Sequence, residues 1–295
     1  MKLNTLKFFL IFFLFSTVSL AQLSDLARLE YTVLPKGNSE IKYSRTRALF
    51  NYPIKLKKED TYLLLGLDYS HIDLYMDDNP SFDIKEVDGF QILDLNIAYT
   101  TPLRNDWRIG IRLTPGFSSN LTANDLNIED IVFSGDVVFI KDKKNDPDVM
   151  KPWRLIIGVS YSGNRGIPFP LPFISYYRKF NPKWSFNIGI PKSNLQYHLS
   201  EIHRFKLYAE LDGFTSNLQR GVVVDNAKVA ESLIMSIIVG GLQYEYHITD
   251  HIELFARSSY IFSNSVNFRD ENKDKIKGLD NSNSLYLRTG IRLKI

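Results

Sequence analysis

The feature that most constrains the fold of this chain is an alternation of polar and apolar residues, which recurs in segments of about ten residues. In the last segment, one face carries Leu285, Leu287, Thr289, Ile291, Leu293 and Ile295, and the other carries Tyr286, Arg288, Gly290, Arg292 and Lys294. The segments 93–99, 107–114 and 205–212 alternate in the same way. Because successive side chains of a β-strand point to opposite faces, each segment predicts a strand with one apolar and one wet face.

This alternation fits either a soluble β-sandwich or a β-barrel in a lipid bilayer, because both have a dry face and a wet face. Here the pattern runs through the whole chain beyond residue 21, far past the roughly 100 residues of an ordinary sandwich. The connections also alternate in length, with short ones at 57–60, 102–106, 181–183 and 249–250, and long polar ones at 75–89, 118–130 and 269–283. Short periplasmic turns and longer outer loops are typical of outer-membrane barrels, so the sequence favours an all-β, antiparallel transmembrane β-barrel.

The number of strands follows from the alternating segments and from parity. The predicted strands are 27–34, 41–56, 61–74, 90–101, 107–118, 131–140, 153–162, 171–180, 184–190, 193–200, 203–214, 233–248, 251–268 and 284–295. Both ends of a bacterial barrel normally lie in the periplasm, so the count is even. Omitting 27–34 and 193–200 gives twelve strands, but places the short 57–60 turn outside; we therefore expect fourteen.

The N-terminal residues predict a secretory signal peptide. Lys2 and Lys7 form a positive region before an apolar run over 8–15, and Ser19 and Ala21 supply the small residues of a cleavage site. A membrane anchor would need about 20 apolar residues, which is longer than this run. We therefore expect a signal peptide over residues 1–21, a barrel domain over residues 22–295, and a location in the cell outer membrane.

All three tryptophans open predicted strands directly after connections. Trp107, Trp153 and Trp184 are in phase with the apolar faces of their strands. An indole suits the membrane interface because its ring is apolar and its N–H stays wet. We expect the three side chains to form a membrane-interface girdle near the periplasmic rim, in contact with outer-membrane lipid; three core tryptophans at strand starts are the alternative.

The polar faces predict which side chains point into the barrel. The candidate lumen residues are Asp94, Asn96, Arg108, Arg112, Arg154, Lys206, Glu210, Glu253, Arg257, Arg288 and Arg292. With Asp68, Asp212, Glu245 and Lys294, which share their phase, the inward set holds eight positive and six negative side chains. A polar conduit or binding cavity with a mild anion preference fits this set, and so does a purely structural interior of ion pairs.

Opposite charges on neighbouring strands predict ion pairs inside the barrel. Arg108 and Arg112 should meet Asp94 on the preceding strand, and Arg288 and Arg292 should meet Glu253 on the strand that precedes theirs. A fourteen-stranded barrel is wider than the eight-stranded barrels that side chains fill, and narrower than porins with open channels. We therefore expect a narrow or intermittently closed lumen.

Little in the sequence points to catalysis or cofactor binding. With no cysteine there is no thiolate zinc site, iron–sulfur cluster or cysteine nucleophile. The five histidines lack the spacing of a zinc site, so we expect neither a metal nor another cofactor. Ser162, Gly163 and Asn164 faintly suggest a hydrolase but are also ordinary loop-entry residues. The 36 basic and 33 acidic residues are nearly balanced, which argues against a nucleic-acid partner.

Four short segments carry a family resemblance. Residues 171–176, 180–185, 189–193 and 195–197, which include Phe180-Asn181-Pro182-Lys183-Trp184 and Gly189-Ile190-Pro191-Lys192, resemble an uncharacterised outer-membrane β-barrel family of Gram-negative bacteria, known as a domain of unknown function. The resemblance covers most of the chain beyond the signal peptide. It implies a barrel and supplies no activity or site residue.

The C-terminal segment is similar to the assembly signal of outer-membrane barrels. Arg288, Gly290, Leu293 and Ile295 occupy the polar, glycine and apolar positions of that signal, although its last residue is usually aromatic. The similarity implies that the barrel-assembly machinery is a partner of this chain.

These observations lead to three hypotheses about function. The leading one is the passage or binding of small solutes through a polar lumen. The second is a non-transporting barrel that serves as a surface scaffold or adhesion platform, and the third is an outer-membrane lipid hydrolase. Sequence alone does not identify a substrate.

Overall fold

The computed structural model describes residues 25–35, 41–76, 86–123, 125–167, 169–224, 228–279 and 284–294. The expected signal peptide over 1–21 and the terminal residue of the expected assembly signal, Ile295, lie outside the described residues. Among the described residues, no helix is long and apolar enough to cross a membrane.

Strands account for most of the described residues. They are β1 Ala27–Leu34, β2 Ile41–Lys55, β3 Tyr62–Met76, β4 Gly89–Pro102, β5 Trp107–Ser119, β6 Ile131–Lys143, β7 Trp153–Ser162, β8 Leu171–Asn181, β9 Trp184–Ile190, β10 Lys192–His198, β11 His203–Val224, β12 Lys228–His247, β13 Ile252–Arg269, β14 Lys275–Leu279 and β15 Leu285–Leu293. A 3₁₀-helix, Ile128–Asp130, precedes β6.

Fourteen of these strands form a closed antiparallel barrel. Each strand from β1 to β13 pairs with the next, β13 pairs with β15, and β15 closes the ring on β1, where Ala27 lies opposite Leu293. The short strand β14 pairs with β13 outside this ring. The prediction of a fourteen-stranded barrel is confirmed, and the twelve-stranded alternative is wrong because β1 and β10 both belong to the wall.

The two ends of the barrel differ. The end that carries Ala27, Leu293 and the short connections at 103–106, 182–183 and 248–251 is called the turn end below. The opposite end is called the loop end, and it carries the connections 120–130 and 163–170.

The outward face of the wall is an apolar belt. Leu113, Ile188 and Leu242 are 62%, 61% and 61% exposed, and they lie on three well-separated strands. Exposure of so many large apolar side chains around the whole wall is unusual for a protein in water. It is expected where the wall meets lipid hydrocarbon.

The β11–β12 hairpin is longer than predicted and bridges the loop end of the barrel. β11 continues to Val224, where the sequence predicted an end at residue 214. Asn217 pairs with Ser119 of β5, although β6 to β10 lie between β5 and β11 in the ring. The hairpin therefore covers part of the opening instead of standing clear of it.

A glycine sits where β11 leaves the regular wall. Gly213 has a φ of +144°, and a Cβ there would lie 2.0 Å from the backbone oxygen of Met235. Only glycine accommodates both this backbone conformation and this close approach without rearrangement.

Under the hairpin, the loop-end half of the barrel interior is an apolar core, which we call the plug. Its members on β11 and β12 are Tyr208, Phe214, Leu218, Val222, Val224, Ala230, Leu233, Met235, Ile237 and Val239. Ile72, Phe90 and Phe268 pack into the same cluster from β3, β4 and β13. The inward faces are therefore apolar near the loop end, and the wet inward face predicted from the sequence is confined to the rest of the interior.

Candidate functional site: a charged cavity inside the barrel

Between the plug and the turn end, the barrel encloses a cavity of about 620 Å³. Its charged lining consists of Arg28, Arg45, Arg47, Arg112, Arg165, Lys192, Arg257, Arg288, Arg292, Asp25, Asp68, Asp94, Asp136, Glu210 and Asp212. Nine of these side chains are basic and six are acidic, which leaves an excess of three positive charges. This volume lies within the range of cavities that hold small organic ligands, about 300–1,000 Å³.

Asp212 is the centre of the first ion-pair cluster of the cavity. Its carboxylate accepts hydrogen bonds from the guanidinium of Arg288, from Arg45 Nη2 at 3.3 Å and from the hydroxyl of Tyr286 at 2.6 Å. Arg288 also lies 3.5 Å from Glu210 and accordingly links β15 to β11. These groups come from β2, β11 and β15, so the cluster ties three strands of the wall together through the interior.

Two further ion pairs line the cavity on β2, β3, β5 and β6. Arg47 on β2 donates two hydrogen bonds to Asp68 on β3, one of them from Nε at 2.8 Å. Arg112 on β5 pairs with Asp136 on β6, and Ser160 of β7 donates to the same carboxylate. Charged side chains of neighbouring strands therefore satisfy one another and line the wall without filling the cavity.

A second ion-pair cluster lies toward the turn end. Glu245 pairs with Lys206 at 2.5 Å and with Arg292 at 3.1 Å, and Arg292 Nε is 2.6 Å from Glu253. Glu245, His247 and Glu253 present ligand atoms within 4.8 Å of one another, the geometry of a cation site. Because lysines and arginines already neutralise both carboxylates, the cluster is better suited to ion pairing than to holding a metal ion.

The predicted pairing of the β5 arginines with Asp94 is wrong. Arg112 lies opposite Ala98 on β4, and its carboxylate partner is Asp136 on the other side. Arg108 lies opposite Pro102 near the turn end, where it donates to the backbone oxygen of Asp60 at 2.7 Å. The alternation of β4 and β5 predicted which face these side chains occupy, but it carried no information on their register.

Asp94 and Asn96 instead contact other polar groups. Asn164, in the connection after β7, donates to both carboxylate oxygens of Asp94, and Thr114 donates to Asn96. The contact between Asn164 and Asp94 holds the 163–167 segment against the inside of the wall.

The remaining candidate lumen residues face charged side chains of other strands. Arg154 lies opposite Asp142, Arg257 donates to Glu210 at 2.6 Å, and Glu210 also lies 2.9 Å from Lys192. The expected pair of Arg292 and Glu253 is present, whereas Arg288 lies opposite Arg257 and binds the carboxylates of β11 instead of Glu253.

Sequence reasoning missed several charged side chains of the cavity. Arg45, Arg47 and Asp136 alternate with outward residues of their strands and could have been found by the same phase argument. Arg165 is different, because it lies in the connection after β7 rather than on a strand. No periodic signal marks a loop residue that folds back into the barrel.

The three tryptophans begin β5, β7 and β9, so they share the turn end of the barrel. The rings of Trp184 and Tyr197 are tilted by 46° with their centroids 4.8 Å apart. The ring centroids of Trp153 and Tyr176 are 6.4 Å apart. Lys141 Nζ is 5.8 Å from the ring centre of Trp107. Their role as a membrane-interface girdle stays a prediction.

Asp130 fastens the hairpin to the connection before β6. The buried carboxylate accepts hydrogen bonds from Asn217 at 2.8 Å and from Gln219 at 2.6 Å, both on β11. Burial raises the pKa of Asp130, but hydrogen bonds from the Asn127 backbone and from Asn217, Ser119 and Gln219 outweigh it and hold the pKa below its usual value. The carboxylate is therefore ionised at neutral pH and keeps the hairpin over the cavity.

Ser162, the candidate nucleophile, has no histidine among its described hydrogen-bond partners. Its hydroxyl donates to Asn164 at 3.1 Å and accepts from Ser134 at 3.4 Å. Among the histidines, His71 lies 3.1 Å from Asp73, and His198 contacts Ser185 at 2.8 Å. The described contacts of Ser162 therefore give it no histidine base.

A closed, antiparallel, fourteen-stranded wall with an apolar outside and a charged inside defines the class of transmembrane β-barrel proteins. Within that class, the chain belongs to the family described as "Domain of unknown function (DUF6268)", whose model matches residues 36–294. This confirms the predicted membership of an uncharacterised barrel family. No curated protein matches the sequence.

Three solved structures to which the chain is similar are one of a porin and two of a hydrocarbon channel. The NanC porin covers 91% of this chain and 100% of its own length, with 10% identity and a TM-score of 0.37. A deltaS2 mutant of the TodX monoaromatic hydrocarbon channel covers 94% and 92%, with 11% identity and a TM-score of 0.39. The toluene transporter TodX of Pseudomonas putida covers 92% and 90%, with 10% identity and a TM-score of 0.34. Identities and scores this low carry no inference about function.

Proposed function

We propose that this protein is an outer-membrane barrel that binds small solutes in its interior and lets them pass slowly. The apolar belt supports the membrane location, because side chains such as Leu113 and Leu242 would be costly to expose to water. Bacterial barrels keep both chain ends and the short turns in the periplasm, so the turn end is assigned to that side. Export and contact of the last strand with the barrel-assembly machinery belong to the same proposal.

The observation that carries the proposal is the unfilled, charged cavity of about 620 Å³. A barrel that served only as a scaffold could fill its interior with side chains, as small barrels do. Here Arg47 pairs with Asp68 along the wall. Arg112 pairs with Asp136 in the same way, and the pairs leave space between them. The excess of basic over acidic lining residues favours anions over cations.

The plug sets the expected rate of passage. With the β11–β12 hairpin fastened to β5 and Asp130, we expect planar-bilayer recordings of the purified protein to show small, intermittent conductance with a weak anion preference. A heat-denatured sample of the same preparation is the control. Large and steady porin-sized conductance would contradict the plug, and a pronounced cation preference would contradict the assignment of the cavity as anion-favouring.

Swelling of proteoliposomes in small sugars separates this function from the scaffold alternative, which predicts no swelling at all. The third alternative, a lipid hydrolase, draws no support from the contacts of Ser162 with Ser134 and Asn164. A Ser162→Ala variant should therefore leave the lipase background of the preparation unchanged.

A further inference from the structure

On the loop-end side of the β9–β10 hairpin, which is the shortest of the wall, the strands on either side do not pair within the part of the chain that the structure describes. β9 and β10 have only seven residues each and meet at Pro191. The β8–β9 pairing ends at Ile174 opposite Ile190, and the β10–β11 pairing ends at Lys192 opposite Glu210. Beyond these pairs, no strand among the described residues lies between residues 171–173 of β8 and residues 212–214 of β11. We call this part of the wall the gap.

The connection after β7 forms the loop-end border of the gap. Thr215 of β11 donates its backbone N–H to the oxygen of Asn164 at 3.0 Å, and Gly166 N donates to the Thr215 hydroxyl at 3.1 Å. At the opposite border, Leu211 N donates to Pro191 O at 3.0 Å. The gap is thus framed by backbone and side-chain hydrogen bonds, which define its edges.

Several apolar residues line the cavity beside the gap, next to the charged Lys192, Glu210 and Asp212. The apolar ones include Ile167, Phe169, Leu171, Phe173, Pro191 and Leu211. Phe169 is 57% exposed. Ile188 and Leu207, which belong to the apolar belt, lie on β9 and β11 next to the gap. The cavity therefore has an apolar group of lining residues that adjoins the lipid-facing surface and lies close to charged lining residues.

Arg165 lies two residues before Ile167, the first of these apolar lining residues. Its side chain is exposed and lines the cavity, and within the described residues it forms no hydrogen bond or ion pair. Arg112 and Arg47 repel it, and the nearby carboxylates of Asp68 and Asp136 are already bound to those two arginines. A guanidinium in this position lacks an anion.

We propose that the cavity binds amphipathic organic anions, with the acid group against Arg165 and the hydrocarbon part against the apolar lining of the gap. The inference rests on the proposed solute-binding function and names its substrate class. A carboxylate can accept two parallel N–H donors from one guanidinium, and an aromatic or alkyl group replaces water along Leu171 and Phe173. A small sugar or a purely polar anion would use only one of these two features.

The test measures binding of 4-phenylbutyrate to the protein in nanodiscs by calorimetry, with empty nanodiscs subtracted. Two matched probes isolate the two features: 4-phenylbutyramide lacks the charge, and butyrate lacks the aromatic ring. We expect 4-phenylbutyrate to bind about tenfold more tightly than either probe. Equal binding of the amide or of butyrate, or no binding of 4-phenylbutyrate, would overturn the inference.

Variants locate the acid group. The Arg165→Gln variant should bind 4-phenylbutyrate about tenfold more weakly or worse, and Arg165→Lys should restore most of the affinity because it keeps the charge. The control is Arg178→Gln, since Arg178 is exposed and shares the outward face of Trp153. Unchanged affinity in Arg165→Gln would overturn the assignment.

Sugar-driven swelling of proteoliposomes keeps the two proposals apart. If swelling occurs and 4-phenylbutyrate does not bind, only the substrate class is wrong. If neither occurs, the solute-passage function is wrong as well. The Phe173→Ala variant tests the contact with the hydrocarbon part of the ligand, and it should weaken binding of 4-phenylbutyrate several-fold. The barrel should remain stable enough to heat for the binding measurement to be made.

Discussion

Replacing Asp212 with alanine is expected to lower the free energy of unfolding by about 3–5 kcal/mol, because it leaves buried arginines without their counter-ion. Arg288 and Arg45 both donate to this carboxylate, and their side chains are only 6% and 8% exposed. The hydroxyl of Tyr286 loses its acceptor at the same time. Unlike a surface ion pair, this cluster has little access to water that could replace the lost partner.

The measurement is urea-induced unfolding from lipid vesicles, followed by tryptophan fluorescence. Asp212→Asn keeps the acceptor oxygen and should fall between wild type and alanine. Asp250→Ala, in the exposed turn between β12 and β13, is the matched control and should change stability by less than about 0.5 kcal/mol. A loss below about 1 kcal/mol in Asp212→Ala would show that the cluster is not a buried network.

Removal of the hairpin tip is expected to have the largest effect on conductance. A variant in which two glycines replace residues 217–230 loses Leu218, Val222, Val224 and Ala230 from the plug, and it loses the contacts of Asn217 and Gln219 with Asp130. Without this cover, water and ions reach the charged cavity from the loop end. We expect single-channel conductance to rise several-fold over wild type in planar bilayers.

The control is a second deletion at the loop end of the barrel, at a turn that is not part of the plug. Removing Glu271 and Asn272 shortens an exposed loop-end turn that does not contribute to the plug. It should leave conductance at the wild-type level. Wild-type conductance in the 217–230 variant, with the barrel still folded by heat-shift electrophoresis, would mean that the hairpin does not limit passage.

The strands of this protein could be predicted from sequence because each wall residue faces either lipid or the interior. β5 and β15 show this best, since Ile111 and Ile291 face outward while Arg112 and Arg292 face inward. Because lipid and the polar interior alternate as the surroundings of successive residues, hydrophobicity alternates with a period of two that is visible in the sequence.

The plug could not be predicted in the same way. Around Leu233 to Val239 of β12, both faces are apolar, so the alternation that separates inside from outside is lost. The pattern also carries no sign that β11 continues to Val224 and meets β5. The contacts across the barrel depend on the bend of the hairpin at Gly213. That bend is set by tertiary packing, so the local sequence pattern does not show it.

Partners inside the cavity were also beyond the reach of the pattern. Phase determines which face Arg112 occupies, but the β4–β5 turn determines its neighbour, and the observed register places Ala98 there instead of Asp94. Arg165 lies on a connection that is held in the barrel by hydrogen bonds of Asn164 and Gly166. A residue of this kind becomes visible only when the fold is known.

Single-cysteine labelling tests the central claim, which is that a water-filled cavity lies beneath an apolar plug. The chain contains no cysteine, so each introduced thiol reports one position. Ala98 lines the cavity, Met235 is 1% exposed within the plug, and Ala256 faces outward in the apolar belt. With a charged, water-soluble thiol reagent on proteoliposomes, Ala98→Cys should react readily, and Met235→Cys and Ala256→Cys should react slowly or not at all. Reaction of Met235→Cys as fast as Ala98→Cys, or protection of Ala98→Cys, would contradict the account.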